Sequence, residues 1–214
     1  MTHVWSCLNN FILNPFMAYK RKDGYWKKAK REGYRSRAAY KLLQLNKKFR
    51  LIRKNDCVLD VGCAPGGWMQ VARELVGKNG YVLGLDIQKI TPFPEENVEF
   101  LNKDITDTDM VGAVKKKVDT FDVVVSDISP NISGIWDVDH FRSVELSEKA
   151  LYIAVDVLCV HGNFLVKVFQ GEYINQFFEK VKDHFAYTKI STPKASRKSS
   201  AEVYVVGKNF RGTR

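Results

Sequence analysis

Cysteine is scarce in this 214-residue chain, and the few present do not form a metal-binding or disulfide pattern. The four cysteines, Cys7, Cys57, Cys63 and Cys159, include no Cys-x-x-Cys pair, and the four histidines are scattered. A disulfide framework or a zinc site is therefore not expected. Two cysteines fall within or beside predicted core elements, which favours reduced thiols, a cytoplasmic protein and no metal.

The chain also lacks a long uninterrupted apolar run. Residues 1–16 are apolar in places, but asparagines and a proline interrupt them and no basic segment precedes them. They are too short and broken to span a membrane, and they lack the layout of a signal peptide. We interpret Met17 as the functional start, or residues 1–16 as a disordered, tag-like extension. Without coiled-coil heptads or an internal repeat, a monomer with no membrane partner is expected.

Acidic residues are nearly absent from both ends of the chain. Between residues 17 and 54 there are 15 basic against 2 acidic residues, and from 180 to the end there are 9 against 2. The middle, 55–179, has 10 basic against 20 acidic residues. Aromatic rings alternate with cations in 17–35, which suits stacking on unpaired bases beside phosphate contacts, although a solvated basic helix fits equally well. The segregated charge favours a polyanion, above all nucleic acid, bound across both ends.

Residues 58–76 are the stretch around which the rest is organised. A short apolar strand leads into Asp60-Val-Gly-Cys-Ala-Pro-Gly-Gly, and a helical pattern follows from Trp68. A strand, a glycine-rich turn and a helix N-terminus form the nucleotide-cofactor corner of open α/β sheets. An acid at the strand end and a proline in the turn suit a cationic or zwitterionic ligand better than a phosphate.

Strand and helix patterns alternate through the remainder of the chain. Strands are predicted at 81–87, 97–101, 121–127, 163–169, 187–191 and 202–206, and helices at 36–52, 108–118, 139–159 and 173–185. This order predicts an α/β, doubly wound, mostly parallel sheet of about seven strands with helices on both faces. We expect one domain overall, with a basic arm and helix at 17–54 and a catalytic part at 55–214.

Polar residues are expected where these strands end, which is where open α/β sheets bind ligands. Asp86, Asp104 and Asp127 follow the second, third and fourth strands. Lys167 lies between valines inside the fifth strand, where an ammonium must be paired or functional because burying it alone is costly. A purely structural ion pair with Asp127 is the simpler alternative. Asp122 is expected to be exposed near a strand entry.

Several segments together resemble the FtsJ/RrmJ family of S-adenosylmethionine-dependent RNA ribose 2′-O-methyltransferases. The resemblance runs from about residue 19 to the end of the chain. It is carried by Ser36-Arg-Ala-Ala-Tyr-Lys41, Asp60-Val-Gly-Cys-Ala-Pro-Gly-Gly-Trp68, Ser126-Asp127-Ile-Ser-Pro-Asn131, Phe164-Leu-Val-Lys167-Val-Phe-Gln-Gly171 and Ser196-Arg-Lys-Ser-Ser-Ala-Glu202-Val-Tyr. Met69, Cys63 and Ser129 depart from the family's commonest residues, which concerns fine selectivity and not the reaction.

The resemblance implies a site and a cofactor. The family's catalytic tetrad falls on Lys41, Asp127, Lys167 and Glu202. The contacts to S-adenosylmethionine fall on Gly66, Gly67, Trp68, Asp86, Asp104 and Asp127, with Asp86 holding the ribose and Asp104 the adenine amino edge. The sulfonium is positively charged, so acids around the cofactor are chemically reasonable.

Two roles remain open for Lys167. A ribose hydroxyl is a poor nucleophile until its proton leaves, so Lys167 could accept that proton if a second cation, Lys41, and a dry strand favour its uncharged form. Alternatively Lys167 stays charged and stabilises the developing alkoxide.

The resemblance implies 2′-O-methylation of RNA, and most simply of a uridine in large-subunit (23S) ribosomal RNA, because this short chain resembles the family's large-subunit members more than its longer members that act on transfer RNA. Ribosomal RNA within an assembling large subunit is then the expected partner. A methyltransferase of transfer RNA anticodon loops is an alternative. Two further alternatives belong to other classes. A non-catalytic RNA-binding ribosome assembly factor is disfavoured because all four positions of the tetrad are filled. A nicotinamide-dependent oxidoreductase is disfavoured by Pro65 in the glycine turn.

Overall fold

A computed structural model describes residues 23–212 and contains a seven-stranded sheet. The strands are β1 (Cys57–Val61), β2 (Tyr81–Asp86), β3 (Val98–Asn102), β4 (Phe121–Ser126), β5 (Leu158–Phe169), β6 (Phe185–Ser191) and β7 (Glu202–Phe210). Their spatial order is β3-β2-β1-β4-β5-β7-β6. The first five strands are parallel, and β7 runs antiparallel to both of its neighbours. The predicted doubly wound sheet is confirmed.

Helices cover both faces of this sheet. They are α1 (Gly24–Glu32), α2 (Ala39–Phe49), α3 (Gly67–Val76), α4 (Met110–Lys115), α5 (Trp136–Val157) and α6 (Ile174–His184). The side chains of β1 alternate, so that Val58 belongs to the core cluster on the side of α2 and α3, while Leu59 and Val61 belong to the cluster that contains residues of α4, α5 and α6. The parallel strands are buried on both faces, which explains their nearly continuous apolar sequences. No described helix is long and apolar enough to cross a membrane.

Several predicted boundaries shift in the structure. The helix predicted at 36–52 is shorter, because α2 begins at Ala39 and ends at Phe49. The fifth helix begins at Trp136, three residues earlier than predicted, because the Asp139 carboxylate accepts the N–H groups of Ser133 (2.8 Å) and Gly134 (3.1 Å) and so fixes the first turn. It ends at Val157, so that β5 starts five residues earlier than predicted.

Asp122 differs from its expected exposed position, because it is half-buried and its carboxylate accepts the Cys57 N–H at 2.8 Å. It therefore joins β4 to the start of β1 at the edge of the sheet opposite the strand ends that carry the glycine turn. Cys57, Cys63 and Cys159 are unpaired thiols. The predicted extension at 1–16, together with Cys7, lies outside the described residues.

Candidate active site

The ends of β1 and β4 form the place where the strand order reverses. The chain leaves β1 toward β2 on one side, whereas β4 continues the sheet on the other, and ligands of open α/β sheets bind at such a switch point. A cavity of about 440 Å³ opens there. Its lining includes Gly62, Ala64, Asp86, Asp104, Asp127 and Ser129.

Four side chains from four elements converge beside this cavity. The Lys41 ammonium on α2 lies 2.8 Å from Glu202 Oε2 on β7 and 3.7 Å from Asp127 Oδ1 after β4. The Lys167 Nζ on β5 donates to the backbone oxygen of Asp127 at 2.7 Å. It lies 3.4 Å from Asp127 Oδ1 and 3.9 Å from Glu202 Oε1. The residues of the expected tetrad are thus within ion-pairing distance, and their catalytic roles remain predictions.

Tyr204 joins this cluster although no role was predicted for it. Its hydroxyl donates to Asp127 Oδ1 at 2.7 Å. The register of the antiparallel β5–β7 pair sets Tyr204 opposite Lys167, and directly paired residues lie on the same face of a sheet. Glu202 is two residues earlier on β7 and shares that face. The two-residue spacing of Glu202 and Tyr204 is visible in the sequence. The pairing of β7 with β5, which brings both side chains to Lys167, is visible only in the structure.

The charges of the cluster follow from its geometry. Burial alone would raise the pKa of Asp127, but Lys167 and Lys41 outweigh it and hold that pKa below its ordinary value of 3.8. Burial would lower the pKa of Lys41, but Asp127 and Glu202 raise it above its usual range. Burial, with Asp127 and Glu202 next, raises the pKa of Tyr204 well above its ordinary value. Near neutral pH the site therefore contains an ionised Asp127, a cationic Lys41 and a neutral phenol.

The glycine turn brings the backbone close to its neighbours. Gly62 has φ of +75°, and a Cβ there would lie 2.6 Å from the Ile128 Cβ, which leaves no room for a side chain. Gly66 has φ of +99°, faces Arg35 and Phe93, and does not line the cavity of about 440 Å³. Gly67 lies against Ser36. Glycine at positions 66 and 67 therefore allows the segment before α2, which contains Arg35 and Ser36, to pack against the turn.

Trp68 connects the cofactor turn to the lysine–carboxylate cluster. It is 2% exposed, its Nε1 donates to the backbone oxygen of Ala38 at 2.9 Å, and its ring lies 5.9 Å from the ring of Tyr204. Trp68 thus serves as a core residue between α2 and α3. It also lines a small cavity of about 30 Å³, together with Gly67, Asp60 and Asp127.

The two acids predicted to hold adenosine line the larger cavity with fixed orientations. Asp86 accepts the N–H of Ala64 at 2.8 Å on one oxygen and that of Gln88 at 2.7 Å on the other. Asp104 accepts the N–H and the hydroxyl of Thr106, both at 2.8 Å, and these bonds lower the pKa of its carboxyl. Carboxylate oxygens with remaining lone pairs suit ribose hydroxyls and an amino group.

Asp60 is a site residue that the sequence analysis did not select. Its side chain is completely buried, and neither carboxylate oxygen has a hydrogen-bond partner within residues 23–212. Burial, with Asp127 and Asp86 next, raises the pKa of Asp60 well above its ordinary value of 3.8. Because it lines the 30 Å³ cavity, an incoming ammonium would give this carboxylate the partner that it lacks. The methionine moiety of S-adenosylmethionine carries such an ammonium, so the residues present fit this cofactor.

Asp60→Asn should change both the pH dependence of stability and cofactor binding. Folding raises the pKa of Asp60, so the wild type binds a proton on folding and loses stability as pH rises above 3.8. The asparagine variant does not titrate there. Its free energy of unfolding should therefore gain on the wild type by up to about 1.4 kcal/mol per pH unit, measured by urea unfolding between pH 5 and 8 without cofactor. Parallel curves would show that Asp60 is ionised in the folded protein.

The cofactor arm of this experiment uses ligands with and without the ammonium. The same variant should bind S-adenosylmethionine and S-adenosylhomocysteine more weakly by about tenfold or more, while its affinity for 5′-methylthioadenosine, which lacks the amino-acid part, is unchanged. Equal losses for all three ligands would place the effect of Asp60 on the whole cavity and not on the ammonium.

A sheet of this topology with an acid-lined cavity at its switch point defines the class of Rossmann-like methyltransferases, for which S-adenosylmethionine is the methyl donor. Within that class the chain belongs to the FtsJ-like methyltransferase family, whose model matches residues 34–210. The expected family is confirmed. Among residues 23–212 no group of three or more histidine, cysteine, aspartate or glutamate side chains is arranged to hold a metal ion.

Relatives in archaea are similar over most of the chain. Ribosomal RNA large subunit methyltransferase E of Archaeoglobus fulgidus is 52% identical over 191 residues, which is 89% of this chain and 97% of that protein. The protein of the same name from Methanocaldococcus jannaschii is 48% identical over 197 residues, or 90% of this chain and 80% of that protein.

Solved structures show the same fold. A protein described as a ribosomal RNA methyltransferase from Plasmodium falciparum superposes with a TM-score of 0.73 and 32% identity, covering 84% of this chain and all of that one. A fibrillarin pre-rRNA processing protein from Methanococcus jannaschii, at 14% identity and a TM-score of 0.53, shares the fold.

Proposed function

We propose that this protein transfers a methyl group from S-adenosylmethionine to a ribose 2′-hydroxyl of RNA, and that its substrate is large-subunit ribosomal RNA. The observation that carries the proposal is the cluster of Lys41, Asp127, Lys167 and Glu202. The cluster lies between the cofactor cavity and a second cavity of about 520 Å³, to whose lining Lys41 and Glu202 belong. Ser129 lines both cavities, so a nucleotide in one can reach a cofactor in the other.

The residues of the cluster divide the chemical task. Bound S-adenosylmethionine supplies an electrophilic methyl group on its sulfonium. As the ribose oxygen bonds to that methyl, the methyl–sulfur bond would break and S-adenosylhomocysteine would leave, while Lys167, once it has lost its own proton, would accept the proton of the hydroxyl. Asp127 holds Lys167 through its backbone oxygen and carboxylate, and Tyr204 steadies that carboxylate. The cation of Lys41 stabilises negative charge that develops on the ribose oxygen.

Basic side chains of the second cavity suit an RNA backbone. Arg37 and Arg197 line it, and both pair with Asp23, at 3.0 and 3.2 Å. Asp23 also caps α1 by accepting the Trp26 N–H. The basic arm at 17–54 and the basic loop at 193–200 thus meet at one carboxylate, which supports the proposal that they grip the substrate together through phosphate contacts.

The identity of the RNA is inferred from the relatives. Those named above are called ribosomal RNA large subunit methyltransferase E, and they cover nearly the whole described chain. We infer that this protein acts on the same class of RNA, in the setting of the large subunit, as a cytoplasmic monomer. Burial of Cys63 raises the pKa of its thiol, which is typical of an unreactive core cysteine in a reducing compartment.

Methyl transfer to RNA is tested directly with isolated ribosomal subunits. Purified protein and methyl-labelled S-adenosylmethionine are incubated with large subunits, their extracted RNA and total transfer RNA from a strain in which the gene is deleted. We expect one 2′-O-methylated nucleotide in the large-subunit RNA, mapped by nuclease digestion and mass spectrometry, and no product in transfer RNA. A product only in transfer RNA would move the substrate to the anticodon-loop alternative. Tight binding of ribosomal RNA without any product would support the assembly-factor alternative.

A further inference from the structure

A row of nearly parallel aromatic rings leads away from the second cavity, the one of about 520 Å³ that Lys41 and Glu202 line. Phe169 and Trp136, which both line that cavity, lie 6.2 Å apart between centroids with 12° between their planes. His140 follows Trp136 at 6.0 Å and 10°, and Tyr173 follows His140 at 5.6 Å and 12°. The four rings come from β5, α5 and the loop after β5. At these centroid separations neighbouring rings are offset, so that each leaves part of its face uncovered; we call this row of rings the ring platform.

Hydrogen bonds and close packing fix the rings of the platform in position. Trp136 is the first residue of α5, whose start the Asp139 carboxylate fixes. His140 is 3% exposed and its Nε2 accepts the Tyr173 N–H at 3.2 Å. A Cβ at Gly171 would lie 2.6 Å from this imidazole ring, so a larger residue there would displace it. A ligand would therefore meet preformed rings and would cost little ordering of the protein.

The outer rings of the platform are open to solvent. Trp136 is 49% exposed, Tyr173 is 39% exposed and the neighbouring Phe141 is 58% exposed, whereas Phe169 and His140 are buried. Exposed aromatic residues clustered next to a substrate cavity indicate a binding surface. Because the platform begins inside the cavity and continues outside it, its ligand is continuous with whatever occupies the cavity.

The charges around the platform favour bases over phosphates. A cavity of about 670 Å³ extends along it, lined by three acids, Asp137, Glu145 and Glu172, and by one cation, Arg142. The second cavity, of about 520 Å³, is instead lined by three cations, Arg37, Lys41 and Arg197, and by two acids, Asp139 and Glu202. Carboxylates repel phosphates, but they accept hydrogen bonds from the amino and imino groups of bases. RNA is also recognised mainly through unpaired bases that stack on aromatic side chains.

We propose that Trp136 and Tyr173 are base-stacking residues that hold unpaired nucleotides next to the methylated ribose. The proposal rests on the RNA methyltransferase function above and names the form of RNA that fits the site, a strand with its bases unstacked. Phosphates then follow the basic side, Arg37 and Arg197, while bases face the rings and the acids. Trp136, which lines both cavities, sets the point where the strand turns toward the lysine–carboxylate cluster.

The test is a double-mutant cycle between the protein and the RNA. Trp136→Ala should raise KM for a short single-stranded RNA containing the target about 5- to 100-fold, with little change in kcat and unchanged affinity for S-adenosylmethionine. Trp136→Phe should recover most of the loss because it keeps a ring. Tyr152→Ala is the matched control, since Tyr152 is also exposed on α5 (55%) but 16 residues further along; it should behave as the wild type.

The RNA half of the cycle removes bases one at a time. An abasic residue at the nucleotide that contacts Trp136 should raise KM for the wild type by a similar factor and should cause no further increase with Trp136→Ala. Additive losses at both neighbours of the target would overturn the proposal. So would a Trp136→Ala defect seen only with assembled subunits, because the platform would then bind protein. If the wild type methylates no RNA at all, the proposed methyltransferase function is wrong. If only the base-stacking proposal is wrong, the wild type methylates RNA, and Trp136→Ala binds S-adenosylmethionine as tightly as the wild type.

Discussion

Lys167→Met should lower kcat for methyl transfer about 10²- to 10⁴-fold, the range for loss of a positioned general base, while S-adenosylmethionine binds as tightly as to the wild type. The reason is geometric: Lys167 is 3% exposed, is held by the Asp127 backbone oxygen at 2.7 Å, and does not line the cofactor cavity. The measurements are single-turnover methylation of RNA and calorimetric cofactor titration. Lys189→Met, which alters an exposed lysine of β6, is the matched control and should be fully active.

Lys167→Arg separates the two roles of this residue. A guanidinium remains charged at all accessible pH values, so it cannot accept the ribose proton but can stabilise a developing alkoxide. If Lys167 accepts the proton, the arginine variant should be as slow as the methionine variant, and raising the pH should not restore its rate. Substantial activity in Lys167→Arg would assign the electrostatic role. Near-normal turnover in both variants would exclude Lys167 from the reaction.

The sheet was predictable because its signals are local. Apolar runs separated by helical patterns predicted the strands along the chain, and the glycine turn after Asp60 predicted the cofactor corner of the sheet. The starts of α5 and β5 were wrong because they depend on Asp139 accepting bonds from Ser133 and Gly134 and on the pairing of β4 with β5. Such contacts are set by tertiary structure and leave no periodic trace.

The candidate site was predictable only where separate motifs marked it. Lys41 and Glu202 are 161 residues apart, yet they form a 2.8 Å ion pair; no spacing rule gives that contact, and the family resemblance supplied it. Asp60 was visible only as an acid at a strand end. Its significance lies in the absence of any partner among the described residues, which is a property of the packed structure. The ring platform could not be predicted from the sequence either, because Trp136 and Phe169 are distant in the chain and meet only in the folded structure.

Asp127→Asn should destabilise the protein and nearly abolish methyl transfer together. The substitution removes the carboxylate shared by Lys41 and Lys167 and leaves two lysines facing only Glu202. Breaking a buried ion pair on one side costs about 3–5 kcal/mol, and the lower end applies because an amide oxygen can still accept the Tyr204 hydroxyl. Urea unfolding gives the stability change. Asp122→Asn is the control, because Asp122 lies at the other end of β4 and accepts the Cys57 N–H and the Cys159 thiol instead of pairing with lysines; it should cost less than about 1 kcal/mol.

The pH dependence distinguishes this variant from Asp60→Asn. Because the pKa of Asp127 is lowered in the folded protein, the carboxylate stabilises the wild type fully above its unfolded value of 3.8 and loses this effect only as pH falls through the folded value. The gap between the wild type and Asp127→Asn should therefore stay constant from pH 5 to 8. Over the same range, Asp60→Asn should gain on the wild type. A gap for Asp127→Asn that closed as pH rose would mean that Lys41 is not held as a cation by this carboxylate, and the division of roles among the four residues would have to be redrawn.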